Sequence, residues 1–154
     1  MADQWLVLEP GGGRQIDLGG FAMTVKASAE DSDGQFTLLE ATEPPHFGPP
    51  MHIHHNAAEA FYVLEGEYFM YVDGQEFRCP AGSYVYVAAG VVHGFRVGDA
   101  PSRKLNLYVP AAMVGYFDEV AAAAAAGDMD DERLGAIAER YGMEVVGPVP
   151  EGYV

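Results

Sequence analysis

Cysteine is nearly missing from this chain: Cys79 is the single one in 154 residues, so no internal disulfide can form and no cysteine-rich metal or redox pattern exists. Basic residues are scarce as well. Eight Lys and Arg stand against 23 Asp and Glu, a formal net charge of -15. Such a balance repels phosphate backbones and anionic lipid headgroups, so neither nucleic acid nor a membrane surface is an expected partner. No apolar run approaches the length of a membrane span, and the first residues lack the basic start and apolar stretch of a secretory signal. Together these absences predict a reduced, cytoplasmic, unprocessed protein.

What is present is the composition of a folded globule: 49% of the residues are apolar or aromatic and 20% are charged. A chain of this length makes one domain and can bury roughly two-thirds of its unfolded surface. Residues 21–26, 35–40, 67–72, 83–87 and 104–109 are short runs rich in β-branched and aromatic side chains and predict strands. Asp73 and Gly74 stand between two such runs and predict a tight hairpin, because a type I′ turn needs positive φ at both central residues. Gly66, Gly82, Gly90 and Gly98 punctuate the rest at the short intervals of a sandwich or barrel. Beyond Pro110 the character changes. Residues 113–126 and 130–141 predict two helices, the first alanine-rich and stopped by Gly127, the second with Leu134, Ile137, Ala138 and Tyr141 at helical spacing and Gly142 as its cap. The expected organisation is a β-barrel domain over residues 1–110 and a helical tail over residues 111–154, packed on the barrel or on a partner subunit. Residues 5–8 are an expected edge strand, and since an unpaired edge invites a second copy, a homodimer is expected.

Four of the five histidines, His46, His52, His54 and His55, lie within ten residues, and His93 follows several strands later. In an extended segment side chains two apart share a face, so His52 and His54 aim at one point while His55 points away. Glu59 is an odd number of positions from His54 and would face the other way on an unbroken strand. A turn at residues 56–58 resets that parity and returns the carboxylate to the same side. His46 sits in a proline-rich loop, residues 44–50, as a solvent-facing or pocket-rim residue. Cys79 reads as a buried apolar residue with nothing beside it to favour a thiolate.

Gly48, the His52-X-His54 pair, Glu59 and Gly66 resemble the first sequence motif of the cupins, with a spacer after Gly48 shorter than is usual there. Gly82, the turn at residues 88–90 and His93 resemble the second motif. Ala88 replaces that motif's proline and Val97 its asparagine, and neither is a ligand position. The resemblance spans about residues 36–109. It implies a mainly β, cupin-type double-stranded β-helix, a jelly-roll barrel to which the helical tail is added, and a metal site made of His52, His54, Glu59 and His93. Three imidazoles and one carboxylate suit a first-row divalent ion, Fe, Ni, Co, Mn or Zn, and there is no thiolate to favour a softer metal.

Within the cupins, the ligand layout, the short acidic chain and the helical tail look like the bacterial quercetinases, which are flavonol dioxygenases. That resemblance implies that Glu59 is both ligand and general base, that the metal holds the enolate oxygen of a flavonol-like or other enolisable aromatic substrate, and that dioxygen opens the heterocycle with release of carbon monoxide. Phe61 and Val63, which share a face with Glu59, and Phe95, which shares one with His93, are expected to line the substrate cavity, with His46 at its rim. The expected partners are a small-molecule substrate and dioxygen. Two other readings keep the same fold: a polyketide-cyclase-like cupin in which Glu59 removes an α-proton without oxygen chemistry, and a cupin that binds a small molecule without turning it over.

Overall fold

The computed structural model describes residues 4–149. In chain order its elements are β1 (Arg14–Asp17), β2 (Ala22–Ala27), β3 (Thr37–Glu43), β4 (Met51–His54), β5 (Ala58–Glu65), β6 (Glu67–Val72), β7 (Gln75–Pro80), β8 (Tyr84–Val87), β9 (His93–Val97), β10 (Ser102–Val109), α1 (Val114–Ala126), α2 (Asp131–Arg140) and β11 (Met143–Gly147). The strands form two antiparallel sheets, one in the order β1-β2-β3-β10-β5-β8 and the other in the order β11-β4-β9-β6-β7. The ladders are separate, so the jelly roll is a pair of facing sheets and not one closed barrel. Phe61 and Val63 from the first sheet share a buried cluster with Tyr68, Met70, Phe95 and Val97 from the second.

Local sequence explains most of these elements. The strand expected at residues 67–72 is β6, and the others match their expected runs to within a few residues. Val72 pairs with Gln75 across the β6–β7 turn, where Asp73 and Gly74 have φ of 49° and 78°, the two positive angles of a type I′ hairpin. Asp130 caps α2 by accepting the Arg133 N–H at 2.8 Å. α1 ends at Gly127, whose N–H bonds the Ala124 carbonyl. Both helices pack on their own sheets: Val114, Tyr116, Phe117, Ala121 and Tyr141 cover a core built on Ile16, Met23, Leu39, Tyr108, Ala138 and Met143. Arg14 of β1 clamps Asp118 of α1 with two hydrogen bonds, at 2.8 and 3.0 Å.

Three features depart from the expectations. Residues 5–8 form no strand, and Trp5 and Val7 are more than three-quarters exposed; their apolar side chains find no ladder partner among the described residues. The tail is not wholly helical, because β11 returns to pair with β4, Met143 opposite His54 and Val145 opposite His52. A run this short shows no periodicity, so its partner is set by the path of α2. Finally, β10 reverses the usual alternation. Ser102, Lys104, Asn106 and Tyr108 are buried, while Leu105 and Leu107 lie on the less buried outer face.

Gly66 joins β5 to β6 with φ of 75°, and a Cβ there would lie 2.1 Å from Ser102 Oγ and 2.9 Å from the Pro101 carbonyl oxygen. The close approach lets Ser102 Oγ accept the Glu67 N–H at 3.0 Å. Gly66→Ala combines a left-handed backbone with a steric clash and should destabilise the fold by about 1–3 kcal/mol. Urea denaturation with an unchanged m-value would register this as a lower midpoint; an unchanged midpoint would refute it.

Candidate metal centre

β4 lies between β11 and β9, so its backbone is held on both sides and its inward side chains, His52 and His54, are buried. His52 stands directly opposite His93 of β9. The turn at residues 88–90 is tied to β4 by the Gly90 N–H, which donates to the His54 carbonyl at 2.9 Å. Across the chamber, Glu59 on β5 is paired with Tyr108 of β10 and Val87 of β8. His55 leaves the ladder at the turn, and from there the parity resets: His55 is half exposed and meets Glu144 at 3.0 Å, while Glu59 faces inward. The ligand-type atoms of His52, His54, Glu59 and His93 all lie within 4.8 Å of one another, and all four residues are buried.

Hydrogen bonds fix how the rings present themselves. His52 Nδ1 is 2.8 Å from the Pro50 carbonyl oxygen and His93 Nδ1 is 2.9 Å from that of Val91. A carbonyl can only accept, so each Nδ1 carries a proton and each Nε2 is left to face the cluster, the tautomer a metal ligand needs. Glu59 Oε2 accepts from Asn106 Nδ2 at 2.8 Å. Its Oε1 lies 2.9 Å from His93 Nε2 and 3.1 Å from His54 Nε2. The latter nitrogen is buried without a hydrogen-bond partner.

The electrostatics are those of a site built around positive charge. Burial, and then the neighbouring imidazoles His93 and His54, push His52 down to about 4, so its ring stays neutral. Burial alone would raise Glu59, but the His54 and His93 imidazoles outweigh it and hold the carboxyl well below its ordinary range. Burial opposes a charge on His93 too, yet the Glu59 carboxylate prevails and raises it. Burial and the Glu59 charge keep Tyr108 firmly protonated. One carboxylate oxygen facing two imidazole nitrogens repels their lone pairs unless a proton or a cation lies between them. A divalent ion at the point shared by His52, His54, Glu59 and His93 would resolve that repulsion and satisfy the orphaned His54 Nε2, so the donor set fits a metal.

Beside the cluster is a chamber of about 90 Å³ lined by Glu43, His52, His54, Glu59, Phe61, Phe95, Lys104, Asn106, Tyr108 and Met113, among others. A second, larger cavity of about 510 Å³ adjoins it, with Leu18, Val120, Leu134 and Val145 in its walls. The two share Phe21, Phe47, Pro49, Tyr116 and Phe117, which form the partition between them. Burial raises Tyr116 to about 12, so it is a neutral phenol in this partition. Of the residues expected at the pocket, Phe61 and Phe95 line the inner chamber. Val63 is fully buried in the adjoining core. His46 lies on the loop surface, 3.6 Å from Asp99, and belongs to the wall of neither cavity.

Sequence reasoning missed Asn106 and Tyr108, which support Glu59, and the buried pair Lys104 and Glu43, whose Nζ and Oε1 are 2.9 Å apart. The signal was present in β10. Lys104, Asn106 and Tyr108 alternate with apolar residues, and polar groups spaced two apart on a strand facing a ligand chamber belong to its lining. His93→Ala removes one nitrogen from the donor set and should cut the metal recovered with the purified protein at least about tenfold. Elemental analysis of wild type and variant side by side checks this, and undiminished metal in the variant would remove His93 from the ligand set.

Residues 39–108 match the family model described as Cupin domain. Over 111 residues the chain is 31% identical to the quercetin 2,3-dioxygenase of Bacillus subtilis, an alignment covering 72% of this chain and 33% of that protein, so the chain spans about a third of the length of the curated relative it matches. Among solved structures, an RmlC-like cupin from Shewanella frigidimarina superposes with a TM-score of 0.58 at 18% identity, covering 71% of this chain and 93% of that one. The polyketide cyclase RemF from Streptomyces resistomycificus gives 0.59 at 20% identity, covering 69% and 80%. At these identities the two structures speak for the fold. The family match marks residues 39–108 as a cupin domain, and the facing sheets together with these structures give this chain the fold of the cupins.

Proposed function

We propose that this protein is a metal-dependent cupin dioxygenase acting on a flavonol-like or other enolisable aromatic small molecule. The observation that carries the reading is the double engagement of Glu59, which puts one oxygen among the imidazoles and the other on Asn106, at the wall of a largely aromatic chamber. The likeness to a quercetin dioxygenase over most of the chain supports the choice of chemistry.

A divalent ion held by His52, His54, His93 and Glu59 would acidify an enol oxygen bound to it, so that even a weakly basic carboxylate suffices as base. Glu59 takes that proton, and Asn106 and the Tyr108 side chain beside it keep the carboxylate from turning away. His52 and His93 stay oriented through their Nδ1–H bonds to the Pro50 and Val91 carbonyls. Phe61 and Phe95, packed edge to face with centroids 6.4 Å apart, form an aromatic wall beside the reacting end. The inner chamber alone is smaller than the roughly 150 Å³ that encloses a single benzene ring elsewhere. A flat polycyclic substrate therefore lies with its reacting end inside and its body in the 510 Å³ cavity, and the partition residues Phe47 and Tyr116 move apart to admit it.

Metal-loaded protein should consume dioxygen in an oxygen electrode when given flavonols, with carbon monoxide released in step. Glu59→Gln should lower kcat by at least about a hundredfold through loss of the base. No oxygen uptake across a panel of flavonols and simpler enols would end the oxygenase reading. Substrate conversion without oxygen uptake would point to cyclase or isomerase chemistry at the same site.

A further inference from the structure

The outer face of the six-stranded sheet is apolar where an ordinary sheet meets water. On β5 and β8 the sequence is apolar on both parities, Ala60-Phe61-Tyr62-Val63-Leu64 and Tyr84-Val85-Tyr86-Val87, the pattern of strands covered on both sides. β10 adds Leu105 and Leu107 to the same outer face. The register sets these residues in two rows across the sheet. Tyr84, Tyr62 and Leu105 are successive partners in one row, and Tyr86, Ala60, Leu107 and Leu38 in the other. α1 packs on β1 and α2 on β11. Among the described residues no element covers the tyrosines, and Tyr62, Tyr84 and Tyr86 are 45%, 64% and 60% exposed.

Beside the rows lies an open groove of about 1050 Å³, lined by Leu6 and Leu8 together with Phe36, Leu38 and Leu105. Trp5 and Val7, at the alternate positions of the same segment, are more than three-quarters exposed. Residues 5–8 thus set Leu6 and Leu8 against their own sheet and leave two further apolar side chains in water.

The area fits a second copy of this chain. At roughly 150–250 Å² per aromatic side chain, the exposed fractions of Trp5, Phe36, Tyr62, Tyr84 and Tyr86 amount to roughly 400–700 Å². A stable dimer buries about 800 Å² on each partner, a little over half of it apolar. Shape points the same way: the tyrosines stand on the β5 and β8 side of β10, and the groove lies on its β3 side. A two-fold axis near β10 carries the tyrosines of each copy to the groove of the other, as an isologous contact requires. Two chains of net charge -15 repel in general, but on this face Arg103 is already paired with Glu40 at 3.4 Å and Glu65 at 2.8 Å. The acidic groups at the groove, Asp31 and Asp33, are acceptors for incoming tyrosine hydroxyls. We propose that this sheet face, with residues 5–8, is a two-fold interface between two copies of the chain, the tyrosines of one docking in the groove of the other. The contact takes the place of the edge pairing expected for residues 5–8 and is independent of the metal centre.

Sedimentation velocity over a dilution series tests this. Wild-type protein should sediment at twice the chain mass at micromolar concentration. Added salt should leave the dissociation constant unchanged or lower it, because screening weakens the repulsion between two acidic chains. Tyr84→Glu with Tyr86→Glu alters side chains that are exposed in the single chain, and a cooperative melting transition shows that the variant folds. Its dissociation constant should rise at least about a hundredfold, the loss expected for a pair of aromatic anchors. Trp5 is the single tryptophan and reports on its own segment: in the wild-type dimer its emission should be blue-shifted and less quenched by acrylamide than in the variant. A monomer at every concentration would overturn the proposal and leave the face to a partner of another kind. So would a dimer that salt dissociates, a dimer that survives in the folded variant, or a Trp5 as accessible to acrylamide in the dimer as in the variant.

Discussion

A single carboxylate oxygen, Glu59 Oε1, faces two imidazole nitrogens at 2.9 and 3.1 Å inside a buried chamber, and much of the architecture serves to hold that arrangement. The groups come from opposite sheets. Left free, Glu59 would rotate toward water and the histidines would spread. β4 is therefore flanked on both sides, His52 is set opposite His93, and the Nδ1 atoms of both rings are anchored on backbone carbonyls. On the other sheet Asn106 holds the second oxygen of Glu59. Three imidazoles and one carboxylate concentrated in this way form a donor set whose natural complement is a cation.

The same requirement accounts for the places where ordinary folding logic is set aside. β10 carries Lys104, Asn106 and Tyr108 on its buried face, where an all-apolar strand would pack with less desolvation. Two of these groups are compensated locally, the Asn106 Nδ2 donor by Glu59 and the Lys104 ammonium by Glu43 and the surrounding rings. The hydrophobic driving force comes instead from the two clusters that flank the chamber, one built around Leu39 and Met143, the other around Val63, Met70 and Val97. The helical tail belongs to the first of these. Tyr116 and Phe117 of α1 close the chamber from the sheet mouth, and β11 completes the ladder beside the histidine strand.

Much of this was legible in residues alone. Parity on an extended segment pairs His52 with His54 and turns His55 outward, and the structure has His55 half exposed on Glu144. Asp73 and Gly74 announced their hairpin, and Asp130 and Gly127 bounded their helices, because these are local conformational preferences that need no distant partner. Residues 5–8, an apolar run that looks like a strand, form none, since a strand exists only where another offers a ladder. Lys104 and Glu43 were invisible as a pair because they are far apart in sequence and each alone resembles a solvated charge. Val63 was expected beside Phe61 and Phe95 at the cavity, but which inward-facing residues meet open space depends on how the sheets diverge.

By itself the sequence determined the kinds of atoms available and their local directions: two histidines sharing one face, a carboxylate returned to that face by a turn, a β-rich body, two helices and a strongly acidic surface. Those follow from backbone stereochemistry and side-chain chemistry over a few residues. Tertiary structure decided which of these groups meet. It brought His93 and Glu59 to the same point, inverted β10 to support them, folded the tail back as β11, and paired Lys104 with Glu43 in the wall of the chamber. Convergence across sheets is set by strand order and register, and those are properties of the whole chain packed against itself.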